Sequence, residues 1–440
     1  MPEVREHRDR GGRVGEGVLA AGFSRAGGVL ACEGVPLPVI ADAAGTPVYV
    51  YSTGAIREQY ARLSRALAPV PHRVHYSMKA NSSHAILTLL ASLGAGVDIV
   101  SGGELYRALR AGMTGRDVVF SGVGKTAEEL RQALDAGVLL INVESEAELR
   151  VLDAVAGERG VRAPVALRIN PEVTVDTPHR YTRTGERGMK FGIPIDEAPE
   201  LVRLALALPN IALAGLDMHV GSQVSSLDPY REGVGRLLEL VRQARTDGAT
   251  ELAYLDVGGG LAVAYQDEAP TDVEAFAAAL IDMVADTGLT LIVEPGRYLV
   301  GNAGVLLTRV LYRKRSGGHE FIIADAGMND LLRPSHYDAY HHIEAIVPRE
   351  TTGVFDVVGP VCESGDFLAL GRTMEAVEQG DLLAVRSAGA YAFSMASSYN
   401  SRPRVAEVIV DGDKWAIATE RERYEDLVRH ERQTLEWSDV

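Results

Sequence analysis

The chain has 440 residues, more than one domain usually holds, and carries 44 Lys and Arg against 60 Asp and Glu, a net charge of −16. With no basic run longer than Arg313-Lys314-Arg315, this balance excludes nucleic acid as a natural partner. No apolar run reaches the roughly 20 residues needed to span a bilayer, the charged N-terminus lacks an apolar signal core, and the two cysteines, Cys32 and Cys362, are too few for a disulfide framework or a structural zinc site, so we expect a cytoplasmic protein without a metal or membrane association.

The first residues, up to about position 45, are short, glycine-punctuated and strand-like. From Thr46 onward short apolar runs alternate with amphipathic stretches, beginning with VYVY at Val48 and a helical pattern over Ile56 to Leu67. Eight further strands follow: RVHYSMK, VDIVS, VVFSG, LLINV, VALRIN, LAGLDMHVG, YLDVGGG and LIVEPG. Segments with apolar residues at helical spacing and a glycine stop, such as AEELRQALDAG, separate most of them. Alternation of this length predicts a (β/α)8 barrel over residues 46–300, ranked ahead of an open doubly wound sheet because nearly every strand ends in polar or glycine residues. After Gly301 the pattern turns to alternating β runs, from VLLTRVLYRK to KWAIATER. Residues 301–440 are expected to form a mainly β domain that the N-terminal segment 1–45 joins.

The strand ends carry Lys79, Asp98, Ser121, Asn142 with Glu144, Arg168, His219 with Ser222, Asp256 before Gly258-Gly259-Gly260, and Glu294 before Pro295-Gly296-Arg297. Taken singly, each has a bland reading: a surface charge, a satisfied core histidine, a turn glycine. In a barrel they converge on one mouth. Glycine-bearing strand ends offer backbone N–H groups to a phosphate. A lysine with apolar neighbours, Tyr76 and Met78, can lose its proton and form a Schiff base with an aldehyde. Phosphate and aldehyde together point to pyridoxal 5′-phosphate, whose ring nitrogen calls for a carboxylate such as Glu294 and whose face an imidazole such as His219 can cover.

Seven stretches, YSMKAN, HVGSQ, DVGGGL, EPGR, DAGMNDLLRPSHY, CESGDFLA and GAYAFSMASSYNSRPR, resemble in order and spacing the fold-type III pyridoxal-phosphate decarboxylases, and among these the diaminopimelate decarboxylases. The resemblance runs from GTPVYVYS to RYEDL and implies an alanine-racemase-like barrel with a second, mainly β domain. It implies that Lys79 binds the cofactor covalently, His219 stacks on it, Glu294 meets its nitrogen, and Ser222, Gly258, Gly259, Gly260, Gly296, Arg297 and Tyr391 hold its phosphate. It further implies a homodimer in which Cys362, the proton donor, and Glu363 enter the partner's site. Arg297, Arg333, Tyr337, Glu363 and Tyr391 would bind a small amino-acid substrate, two guanidiniums and a carboxylate suiting a zwitterion.

The activity so implied is decarboxylation of meso-2,6-diaminopimelate to L-lysine. The same chemistry on another amino acid or a carrier-bound aminoacyl group is the alternative, and a non-catalytic pyridoxal-phosphate carrier a weaker one, since a carrier has no use for CESGD or LLRPSHY. A racemase on the related barrel would want a tyrosine base opposite the lysine and has no evident use for Cys362. Cys32, outside any motif, is expected to pack or lie on the surface. Two departures from the family pattern stand out: Thr182 and Arg183 in the stretch His179 to Gly192, and the bulky Tyr298 after EPGR.

Overall fold

The structure is a computed structural model that describes residues 22–175 and 185–438. The described residues divide into two compact units, one within 53–303 and the other made of 22–52 with 304–438.

The first unit is a closed barrel of eight parallel strands: β1 (His72–Ser77), β2 (Gly96–Ile99), β3 (Val118–Phe120), β4 (Leu140–Val143), β5 (Ala163–Asn170), β6 (Ile211–Asp217), β7 (Tyr254–Asp256) and β8 (Thr290–Val293). Each pairs with the next, and β8 pairs back to β1 through Leu291 to Val293 against His72 to Val74. All eight strands match those read from the sequence. Parallel strands covered on both faces read as nearly continuous apolar runs, and β2, β3 and β4 are buried along their whole length. Val119, Leu140, Ala166 and Ile292 pack together in the interior.

Helices α1 (Thr53–Leu67), α2 (His84–Ser92), α3 (Gly102–Arg110), α4 (Ala127–Ala136), α5 (Glu146–Arg159), α6 (Ala198–Ala207), α7 (Asp228–Thr246) and α8 (Val273–Val284) complete the unit. Their starts are written locally. Ser101, Thr126, Ser145 and Asp272 each accept a first-turn backbone N–H, Thr126 with a reciprocal Glu129 contact, and Gly137 and Gly160 close α4 and α5 in the left-handed region.

In the second unit the strand order is Phe367–Glu375, Thr352–Val358, His319–Ala324, Gly304–Ser316, Val48–Ser52, Ala406–Asp411, Lys414–Thr419. Val48–Ser52, read from the sequence as the opening run of the barrel range that starts at 46, lies here instead. It pairs antiparallel with Gly304 to Leu307 and parallel with Ala406 to Val410, which accounts for its burial at every residue. The N-terminal segment contributes a small sheet, Phe23–Ala26, Val29–Cys32 and Val35–Pro36, whose Phe23, Leu30 and Cys32 join Val48, Val305 and Val408 in one core. Cys32 is fully buried there, where burial raises its thiol pKa, so it is a packing residue.

Candidate active site

Lys79 stands just past β1, in the single 3-10 turn Met78–Ala80 rather than in the strand. Tyr76 and Met78 are fully buried behind it, while its own side chain keeps 42% exposure. Its Nζ lies 3.5 Å from Asp98 Oδ2, at the end of β2, and that oxygen also accepts from Ser77 Oγ at 2.7 Å.

Behind this amine the ends of β5 to β8 bring charged groups together away from water. Arg168 NH1 donates to Glu144 Oε1 at 2.7 Å and its Nε lies 3.8 Å from Asp217 Oδ2, with the guanidinium 5.2 Å from the Phe191 ring. Carboxylate oxygens of Asp217, Asp256 and Glu294 all lie within 4.8 Å of one another. Burial, and then the neighbouring acids, raise the carboxyl of Glu294 well above its usual range; burial does the same for Asp217 and pushes Asp256 up to about 7. Among the described residues no N–H or O–H donor reaches the buried Asp98 Oδ1, Asp217 Oδ1, Asp256 Oδ2 or Glu294 Oε1, although the Asp256 and Glu294 carboxyls lie within hydrogen-bonding reach of each other. Three acids this close cannot all be ionised, so protons are held among them.

The glycines on either side are there because nothing larger fits. A Cβ on Gly259 would sit 2.1 Å from the Glu294 carbonyl oxygen, and one on Gly260, at φ +98°, 2.3 Å from that of Gly221. Glu294 N donates to Gly258 O, and Gly259 N to His219 Nδ1 at 3.3 Å, so the DVGGGL, HVGSQ and EPGR stretches are laced to each other. Since His219 Nδ1 accepts, its imidazole is neutral, in keeping with a pKa lowered by burial, then by Lys79 and Arg168. Gly296 in turn packs against Ser77 and Ala80, the neighbours of Lys79. Arg297 donates to Tyr265 Oη at 2.6 Å and to Ser222 Oγ at 3.2 Å.

The barrel thus gathers Lys79, His219, Ser222, Gly258, Gly259, Gly260, Glu294, Gly296 and Arg297. Sequence reading did not single out Asp217 or Tyr265, and it named Arg168 and Asp256 at their strand ends without giving either a role. The signal available for Asp217 was its place at the end of β6, beside Asp256 in parallel register. Tyr298 does not join the carboxylate group: the charges that reach its hydroxyl belong to Arg62, Glu274 and Glu58, on α1 and α8. His179, Thr182 and Arg183 lie outside the described residues.

In the β unit, Cys362 and Glu363 are both exposed. Cys362 N donates to Asn400 Oδ1 at 2.8 Å, and Glu363 accepts from the Tyr399 hydroxyl, whose pKa it raises. Arg333 is buried, with Tyr337 beside it at 5.9 Å from guanidinium carbon to ring centre. Tyr391, half-buried, has φ +55°, and Ser387, Asn400 and Ser401 are likewise left-handed. Non-glycine residues held in that region need support from their surroundings, a feature concentrated at functional segments.

Residues 53–301 match the family model of the pyridoxal binding domain of pyridoxal-dependent decarboxylases. A diaminopimelate decarboxylase of Pseudomonas fluorescens is 49% identical over 92% of this chain and 97% of its own length. Among solved structures, the diaminopimelate decarboxylase of Helicobacter pylori complexed with L-lysine superposes with a TM-score of 0.86 at 39% identity, covering 89% of this chain and 98% of that one. That of M. jannaschii in complex with L-lysine gives 0.89 at 34% identity, covering 94% and 98%.

Proposed function

We propose, from the premise that this chain belongs to the pyridoxal-dependent decarboxylase family, that it removes one carboxylate of meso-2,6-diaminopimelate as carbon dioxide and releases L-lysine. The meso compound has one centre of each hand and L-lysine keeps the L centre, so the bond broken is the one at the D centre.

The observation that carries the reading is the buried Glu294 carboxyl, with one oxygen lacking a donor, set behind a lysine amine and beside a glycine-rich turn. These residues fit pyridoxal phosphate. Glu294 offers an acceptor to a ring N–H, which as a cation would draw its proton off; Gly258 to Gly260 and Gly296 put no side chain in the way of a phosphate at these strand ends; and Ser222 stands with the Arg297 cation. Lys79 would hold the cofactor covalently, His219 would cover one face, and Tyr391 would add a hydroxyl to the phosphate. When bound, pyridoxal phosphate supplies an electron sink for the pair released from the Cα–carboxylate bond.

The chain's own residues do the rest. Arg297, Arg333 and Tyr337 bind the far carboxylate of the substrate, Glu363 its amine, and Tyr391 helps seat it. Cys362 Sγ, which carries a proton as the thiol, donates the one that takes the place of carbon dioxide on Cα. Its exposure, and that of Glu363, suit residues that act on a second copy of the chain, completing its site in a head-to-tail homodimer.

Mixing inactive Lys79→Ala with inactive Cys362→Ala under subunit exchange tests this arrangement. Random assortment makes about half the dimers mixed, each with one intact site in two, so activity should recover to roughly a quarter of wild type. No recovery, with exchange demonstrated independently, would refute the shared site.

A further inference from the structure

Arg333 opens a short helix, Arg333–Tyr337, and is held from the side by a residue that no motif drew attention to. Its Nε donates to His341 Nε2 at 3.2 Å, and His341, fully buried, has its other nitrogen 2.9 Å from the Arg386 carbonyl oxygen. A guanidinium can only donate, so Nε2 must accept; a carbonyl can only accept, so the imidazole proton must sit on Nδ1. The two contacts together leave one protonation state for His341, the neutral ring with hydrogen on Nδ1.

The main chain on either side of this contact is itself held. Arg372 NH1 donates to the His341 carbonyl at 2.7 Å while its guanidinium lies 4.0 Å from the centre of the Tyr340 ring. Arg386, which supplies the carbonyl, is pinned by Glu344 through a 2.6 Å Nε contact. The imidazole thus sits between the Arg333 guanidinium and the Arg386 main-chain carbonyl, and it engages Arg333 by accepting its N–H. A charged histidine there would face a guanidinium with no acceptor to offer it.

We propose that His341 is a positioning residue for substrate recognition: its neutral imidazole fixes the plane of the Arg333 guanidinium for bidentate binding of the substrate's far carboxylate. This rests on the reading that Arg333 binds that carboxylate. Paired N–H donors meet a carboxylate's two oxygens only when the planes coincide, so the tilt of the guanidinium governs affinity more than its mere presence. His341 touches neither cofactor nor reacting atoms. Its loss is therefore felt in binding and not in the chemical step.

The test uses the purified holoenzyme, with KM and kcat for meso-diaminopimelate and the inhibition constant of L-lysine, which keeps the same far end. His341→Phe retains ring volume without an acceptor. We expect it to raise KM and the lysine constant together by about tenfold, with kcat within about twofold of wild type. His341→Gln places an amide oxygen near the Nε2 position and should recover most of that loss; should the Phe variant melt early, the Gln variant against His341→Leu carries the comparison. Arg333→Lys separates the two layers. If it leaves KM unchanged, the substrate role of Arg333 fails; if it raises KM while neither His341 variant does, or if the His341 variants lower kcat alone, the positioning role is overturned.

Discussion

Two lysines of the barrel occupy opposite kinds of surroundings. Lys125, in the turn after β3, has no exposed side-chain surface; its Nζ donates to the carbonyls of Gly122 and Asn142 at 2.6 and 2.8 Å and meets Glu148 at 2.7 Å. Lys79 is far more exposed, with one carboxylate at 3.5 Å, and the groups behind it do not balance: Asp98, Asp217, Asp256, Glu294 and Glu144 face Lys79 and Arg168. Burial of an ammonium is therefore no guide to which lysine reacts. The buried one meets three oxygens and ties the β3 and β4 loops together, with Glu148 Oε1 approaching as an ion pair without hydrogen-bond geometry. At the Lys79 end, among the described residues, no cation meets Asp98 Oδ1, Asp217 Oδ1, Asp256 Oδ2 or Glu294 Oε1. A site that holds a ligand must leave such groups unsatisfied in the protein alone, at a cost to stability that saturated contacts elsewhere offset.

The comparison breaks first on activity. Lys79→Ala should abolish carbon dioxide release, by at least about a thousandfold, while leaving the unfolding transition nearly in place. A protein that kept turnover would show the reactive amine to be another one. Lys125→Met should do the reverse: removing one partner of a buried pair strands Glu148, so we expect a loss of about 3–5 kcal/mol in denaturant unfolding, with turnover per folded molecule retained. Adding Glu148→Gln should return part of that loss. If Lys125→Met is as stable as wild type, saturation of the buried lysine is not what holds these loops.

Much of this was legible beforehand, for a physical reason. Barrel strands are local runs, each followed by a helix with its own cap and stop, so RVHYSMK through LIVEPG announce themselves within a window of a few residues. VYVY at Val48 announced a strand but not its sheet, because its pairing partners, Gly304 to Leu307 and Ala406 to Val410, are hundreds of residues away and its burial on both faces mimics a barrel strand. Lys79, His219 and Glu294 were readable because the cofactor chemistry demands their types. Asp256 was read at its strand end but without a role and Asp217 not at all, since two more acids beside Glu294 serve no simple chemical demand until parallel register aligns them. His341 escaped similarly: its role is to hold another side chain, and only coordinates show which nitrogen faces Arg333.

The smallest expected effect tests whether the Lys79 end of the barrel really carries an electrostatic cost. Asp256 has an ordinary pKa near 3.8 and is pushed up to about 7 in the folded protein, first by burial. Below pH 4 it is protonated folded and unfolded alike, and costs nothing. Between pH 4 and 7 the unfolded chain releases the proton while the folded one keeps it, so the folded state binds more protons and its stability falls as pH rises. Above pH 7 the full cost is present. Asp256→Asn keeps an Oδ1 for the Gly258 N–H, which Asp256 accepts at 2.9 Å, but cannot ionise. In cofactor-free protein, its stability relative to wild type should therefore climb across pH 4 to 7 and level off above, the total rise being at most about 4 kcal/mol. Unfolding by denaturant at four or five pH values measures it. A difference that stays flat with pH would mean that Asp256 ionises without penalty, and the contrast with the saturated pocket of Lys125 would then rest on Lys79 alone.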